Sequence, residues 1–350
     1  MTSTPQRANA IGIVGAGSFG TALGYVLANA GRRVLLWSRD PDVVAAITAT
    51  RMCPRLRTPP LPALLEATSD PRVIAEAARF IVMAVSSTHV AASARELGSY
   101  LDGSHIVVHA VGALPRSRTT AAATPHSTGI ETPENGLSRG RVSEVIGQGV
   151  PTLRIGALAG PALPADLVDG EYASLVVASR YNEVLAEARR LLHTPPQLRV
   201  YASKDLAGVE LASALAGAYT VALGLCDGLA MTAGPRAVLI TRAVAEASRL
   251  SVAAGADART FSGLAGLGNL LVRSIERSDD YYLGRQLALG AGGATVQPTE
   301  GARAAEAVLE LAAELRVSAP IIAGVCGVVS GDLSPRAALR TLTDTATVEE

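Results

Sequence analysis

The segment Gly15-Ala16-Gly17-Ser18-Phe19-Gly20 has the residue types and spacing of a backbone turn that binds a pyrophosphate. The apolar run Ile11–Val14 before it reads as a buried strand, and residues 21–30 after it read as a helix. In that setting Gly15 permits a sharp turn, Gly17 lets the backbone approach the anion, and Gly20 allows the helix to pack closely on the strand. Unpaired N–H groups of the first helical turn face the same point and favour negative charge there. The chemistry implied is dinucleotide binding. A second signal lies at the end of the next strand, which reads Leu36-Trp37-Ser38-Arg39. No acid is present there to take ribose hydroxyls, and Arg39 is placed to pair with a 2′-phosphate, so NAD and NADP both stay open. Val85-Ser86-Ser87 puts small polar residues at the end of a later strand, the edge where open sheets bind ligands.

Groups able to move a proton are scarce. Lys204 is the only lysine, and every other cationic side chain is an arginine, which hardly ever gives up its proton. Cys53, Cys226 and Cys326 are scattered without metal or redox spacing, so they read as core residues in a reducing compartment, and no metal site is expected. Residues 1–10 are polar, without the apolar core of a signal peptide, and the expected location is cytoplasmic. The 31 Lys plus Arg balance the 31 Asp plus Glu, which gives no electrostatic ground for nucleic acid or an anionic membrane. The longest uncharged stretch, residues 211–226, is short for a bilayer span and reads as a helix buried in a large core.

The elements that must position the turn follow from periodicity. With 350 residues, 49% of them hydrophobic, the chain can fill two cores. Strand candidates at Val34–Trp37, 80–85, 106–108 and Ala173–Ala178 alternate with helix-like segments, which predicts an α/β fold with a doubly wound, mostly parallel sheet. Residues 115–150 are rich in Ser, Thr, Gly and Pro and read as a long loop or insertion, with a turn of helix at 142–146. Beyond Asp205, residues 206–229, 236–254 and Glu300–Leu315 are long Ala/Leu-rich helical patterns. The expected domains are a dinucleotide-binding unit at 8–199 and an all-α substrate unit at 200–345.

From about residue 11 to 342 the chain resembles the NAD(P)-dependent glycerol-3-phosphate dehydrogenase family. The resemblance rests on GAGSFGTA at 15–22, LLWSRD and VVAAITATR after it, Ala159-Gly160-Pro161, Arg199-Val200-Tyr201, Val209-Glu210-Leu211, Asp227-Gly228-Leu229, Arg236-Ala237 with 239–242, GLAGLG at 263–268, and Glu300-Gly301. It implies a Rossmann domain, a helical substrate domain and a cleft between them. It also implies NAD or NADP as cofactor, contacted by Gly15, Ala16, Gly17, Ser18, Phe19, Gly20, Ser38, Arg39, Ser87 and Glu300. The implied partner is a small-molecule substrate, with no nucleic acid and no membrane span, and a homodimer stays open. The family's reaction passes a hydride between nicotinamide and C2 of the glycerol phosphate–glycerone phosphate pair. It needs a proton donor and positive charge at the carbonyl oxygen and a basic clamp on the phosphate.

Those groups are replaced in this chain. The position of the family's principal lysine is Ala216, and the Asn expected after it is Gly217. A second lysine, from a Lys-Gly-Ile-Glu segment, falls on Val111 in one register and on Thr128 in the other. The family's Asp after GLAGLG is Asn269, and its Ser-Arg-Asn clamp is Ser278-Asp279-Asp280, whose two carboxylates are expected to repel a phosphate. Substitute donors are His109 beside the first register, His126 beside the second, and Tyr281 or Tyr282. Arg273 and Arg277 bring charge where the family has neutral residues, and Lys204 lies too early to stand in for Ala216. Two functions are compatible with this pattern. One is an NAD(P)-dependent oxidoreductase in which the glycerol phosphate reaction is weak or lost and a carbonyl or imine substrate has replaced it. The other is a catalytically silent nucleotide-binding sensor or interaction protein. A polar donor in the cleft supports the first, and a cleft of Ala216, Gly217 and apolar residues the second.

Overall fold

The computed structural model describes residues 10–114, 141–274, 278–290 and 298–344. Eight strands form one sheet: β1 (Ile11–Val14), β2 (Val34–Trp37), β3 (Leu65–Thr68), β4 (Phe80–Met83), β5 (Ile106–His109), β6 (Ile155–Ala159), β7 (Ala173–Ala178) and β8 (Leu198–Ser203). Their order is β3-β2-β1-β4-β5-β6-β7-β8. All neighbours pair in parallel except β6 and β7. β1, β2, β4 and β5 are buried along their whole length, as expected of strands covered by helices on both faces. The winding reverses between β1 and β4, which opens a crevice at their C-terminal ends.

The mostly parallel, doubly wound sheet is the one expected from the alternation of apolar runs, and β4 ends two residues earlier than the 80–85 run suggests. Three strands have no counterpart in the sequence reading. β3 and β8 are the two edges of the sheet and mix buried with exposed residues, so neither is a continuous apolar run. β6 reads Ile-Gly-Ala-Leu-Ala, small residues of low strand propensity that are held by neighbours on both sides. The helix expected at 142–146 extends over Val142–Gly149.

Beyond Leu206 the described residues are helical, and the helix Leu206–Gly228 is their axis. Asp205 caps it by accepting from the Gly208 N–H at 2.9 Å. Among the described residues it alone is long and apolar enough to cross a membrane, yet it is buried inside the protein, as the core reading of 211–226 requires. The helices Asp279–Ala288, Glu300–Leu315, Ala233–Ala253 and Pro320–Ser330 pack around it. Contact with Asp279–Ala288 is backbone to backbone. A Cβ at Gly224 would stand 2.2 Å from the Tyr281 carbonyl oxygen, and one at Gly284 would stand 2.1 Å from that of Val221. Gly224→Ala should therefore force the two helices apart and lower stability by about 3 kcal/mol. Urea unfolding of the variant measures this, and a loss below about 0.5 kcal/mol would mean that the helices separate without strain.

Candidate functional site

Gly15 has φ +113°, and a Cβ on it would lie 2.4 Å from the Ala84 carbonyl oxygen, so the turn between β1 and the helix Ser18–Asn29 requires glycine there. Gly20 has the same role against the Gly15 carbonyl oxygen, at 2.2 Å. Gly17 differs: nothing lies within 4 Å of its Cβ position, so its open face can take a ligand against the backbone. As N-cap of the helix it makes no side-chain cap bond, which leaves the first-turn N–H groups for an anion. The cradle fits a dinucleotide pyrophosphate. Beside it a cavity of about 510 Å³ is lined by Gly15, Ala16, Gly17, Ser38, Arg39 and Arg55, among others. Arg39 is exposed, and Arg55 pairs with Asp40 at 2.7 Å. Two guanidinium groups thus stand at the end of β2.

A second cavity of about 790 Å³ shares Arg55, Ala84, Val85 and Ser86 with the first and runs on between the sheet edge and the helical domain. Ser18 and Phe19 line its near end. Glu300 lines it too and accepts from the Ser87 N–H through both carboxylate oxygens, at 3.2 and 3.3 Å. Arg303 pairs with the same carboxylate at 2.7 Å. Ser87 and Glu300, both expected at the cofactor, therefore meet across the domains.

Neither Ala216 nor Val111 lines this cavity. Ala216 is fully buried in the helical core, and Val111 is buried in an apolar cluster of the sheet domain, while its neighbour Gly112 lines the cleft. Thr128, His126 and Arg277 fall outside the described residues. Lys204 is exposed on the loop before the central helix and bonds to the Asn182 side chain.

Neither His109 nor Tyr281 lines either cavity, and each is bonded to a carboxylate. The His109 ring is buried at the end of β5, with Nδ1 accepting from the Val111 N–H at 3.4 Å and Nε2 3.0 Å from Glu210 Oε1. These partners assign the proton to Nε2, which donates to Glu210. Glu210 also accepts from the Ser143 N–H at 2.7 Å and the Ser143 hydroxyl at 2.9 Å. The imidazole is thus saturated inside a structural network that ties the sheet to the central helix. Tyr281 is buried and donates to Asp227 Oδ2 at 2.8 Å. Burial, then the Asp227 carboxylate, push its phenol up to about 12, which makes it a weaker acid than an ordinary tyrosine. Tyr282 is half-exposed and lines neither cavity.

The cleft is nonetheless polar. Ser213, Asn269, Arg273, Ser278 and Asp279 line it. Arg273 Nη2 is paired with Asp280 Oδ2, and Asp280 Oδ1 accepts from the Gly301 N–H at 2.8 Å. This corrects the expectation that both carboxylates repel a phosphate. Asp280 is buried and neutralised by Arg273, and only Asp279 keeps an exposed carboxylate at the cavity. Ser213 was missed in the sequence reading. Its signal was the four-residue spacing to Gly217, which puts both on one face of the central helix.

Fold and cleft together define a two-domain, dinucleotide-binding dehydrogenase. The chain belongs to the NAD-dependent glycerol-3-phosphate dehydrogenase family: the N-terminal family model matches residues 10–185 and the C-terminal model residues 205–340. It is 36% identical to a glycerol-3-phosphate dehydrogenase [NAD(P)+] of Desulfovibrio desulfuricans, covering 94% of this chain and 95% of the relative. It is 35% identical to that of Halorhodospira halophila, with 96% of each covered. The crystal structure of glycerol-3-phosphate dehydrogenase from Coxiella burnetii superposes with a TM-score of 0.83 at 27% identity, covering 96% of this chain and 99% of that one.

The buried pair gives a direct test of the site's electrostatics. Asp280→Asn should cost about 2 kcal/mol, somewhat under the usual cost of breaking a fully buried pair because Arg273 keeps part of its surface in water. Removing Arg273 as well, in Arg273→Met/Asp280→Asn, should restore part of that loss, giving a coupling of about 1–2 kcal/mol in chemical unfolding. Additive losses would mean that the two charges act independently.

Proposed function

We propose that this protein is an NAD(P)-dependent oxidoreductase that interconverts a carbonyl and an alcohol on a substrate less anionic than glycerol 3-phosphate. The observation that carries this reading is the cleft beside the dinucleotide turn. It keeps polar donors at Ser213, Asn269 and Arg273, while it has no lysine and Asp279 stands where the family's clamp has arginine. The relatives named as glycerol-3-phosphate dehydrogenases support the reaction class. Bound NADH or NADPH supplies the hydride. Of the chain's own residues, the 15–20 turn holds the pyrophosphate, and Ser38 and Arg39 favour a 2′-phosphate, hence NADP. The Ser87–Glu300 contact joins the sheet edge to the wall of the substrate cavity. The silent-protein reading draws on Ala216 and Val111, and the polar lining argues against it.

NADPH should bind the purified protein with a fluorescence change, and Gly17→Asp should abolish binding by placing a carboxylate against the pyrophosphate. Because the Gly17 Cβ position is open, that variant should keep the wild-type melting temperature. Glycerol 3-phosphate oxidation should run at least about three orders of magnitude below that of a relative with its lysines, followed as NADPH absorbance. Turnover in the common range of roughly 1–1000 per second would return glycerol 3-phosphate as the substrate. Absence of nucleotide binding at millimolar concentration would remove the basis of the reading.

A further inference from the structure

We infer that Arg273 and Ser213 together hold the reacting oxygen of the substrate, the guanidinium supplying positive charge and the hydroxyl a hydrogen bond, for a small carbonyl compound that carries no phosphate. This rests on the dehydrogenase reading above and adds the groups that do the work. Both side chains reach one point at the C-terminal end of β5, where Gly112 borders the cleft: the Gly112 Cβ position lies 3.8 Å from Ser213 Oγ and 3.9 Å from Arg273 Nη1. Ligands of open α/β sheets bind at such strand ends.

The guanidinium is fixed there rather than swinging freely. Its Nη2 is taken by Asp280, which is itself anchored by the Gly301 N–H. Its Nε is buried with no acceptor among the described residues. What remains for a ligand is the Nη1 end, next to Gly112 and Ser213. Gly217 makes the arrangement sterically feasible. A Cβ there would be 3.5 Å from both Arg273 Nη2 and Asp280 Oδ2, an ordinary contact, and 3.2 Å from Gly301 Cα, so it is the further atoms of an Asn side chain that would crowd the ion pair. Gly217, Arg273 and Asp280 therefore meet at one place beside the cleft, where the guanidinium brings in a cation from residue 273.

Charge selects the substrate. The cations at the cavity, Arg55, Arg273 and Arg303, each pair with a carboxylate of Asp40, Asp280 or Glu300, and Asp279 adds a further negative charge. A phosphate dianion meets little net attraction there, whereas a carbonyl oxygen needs only donors aimed at the charge it develops. In reduction the carbonyl carbon accepts a hydride from the reduced nicotinamide, which is left oxidised, and the C=O π pair moves onto oxygen. Arg273 stabilises that alkoxide and keeps its own proton. The proton that completes the alcohol passes through the Ser213 hydroxyl, which is reprotonated by water; oxidation runs the same steps backwards.

The test compares wild type, Ser213→Ala and Arg273→Met/Asp280→Asn, the double variant being chosen so that no buried charge is left alone. With NADPH and the probes glycerone, methylglyoxal and glyoxylate, wild type should reduce at least one probe faster than glycerone phosphate. The double variant should lose about a hundredfold in kcat, with NADPH affinity unchanged and part of the rate returned by guanidinium ion in the buffer. Ser213→Ala should lose about tenfold, the worth of one hydrogen bond. A second readout needs no turnover. In 15N-arginine-labelled protein saturated with NADP+, the Arg273 Nη signal, identified by its absence from the double variant, should shift when the same probes are added. An unshifted signal, or a double variant as fast as wild type, overturns the assignment. A shifted signal without turnover on any probe keeps the oxygen-binding pair and instead overturns the dehydrogenase reading.

Discussion

Burial of the helix Leu206–Gly228 along nearly its whole length is the constraint on which the rest of the molecule depends. A helix enclosed on all sides must be apolar around its circumference, and it must be slim where its neighbours come closest. Both demands are visible: Ala and Gly recur along it, and at Gly224 the adjacent helix touches backbone. Its buried carboxylate is matched. Glu210 is buried because the His109 ring and the Ser143 N–H and hydroxyl all donate to it. That network crosses from sheet to helical domain, so the same burial that stabilises the helix also sets the distance between the walls of the cleft.

The second constraint is charge. Two carboxylates replacing an arginine and an amide look in sequence like simple repulsion of a phosphate. In space they have different fates, because Asp280 is buried and must be compensated while Asp279 stays in contact with solvent. Arg273 meets that requirement, and Gly217 leaves it the room. Arg273 and Asp280 thus form one ion pair beside Gly217. The cavity stays polar although Ala216 and Val111 are buried in apolar clusters.

The dinucleotide turn obeys a different logic. Its geometry is dictated by backbone sterics within a short segment, with Gly15 at positive φ and Gly20 against the Gly15 carbonyl. Little of the remaining chain is needed to specify it. The far wall of the same site comes from the other end of the molecule, where Glu300 reaches the Ser87 N–H.

Local chemistry was therefore legible in the sequence. Periodicity gave the mostly parallel sheet and the long helices, and glycine spacing gave the pyrophosphate cradle, since each depends on residues close together in the chain. Edge strands β3 and β8 and the small-residue strand β6 were not legible, because their pairing is decided by neighbours far off in sequence. The partners of the candidate donors were hidden for the same reason. His109 and Tyr281 have suitable side chains, but whether an imidazole or phenol faces a cleft or a buried carboxylate depends on Glu210 and Asp227, which only the folded chain brings to them. By sequence Arg273 stands out only as a charge where the family has a neutral residue. Tertiary structure alone gave it Asp280 as a partner, Gly217 as space and Ser213 as a neighbour, because electrostatic and steric coupling act through distance in space and not along the chain.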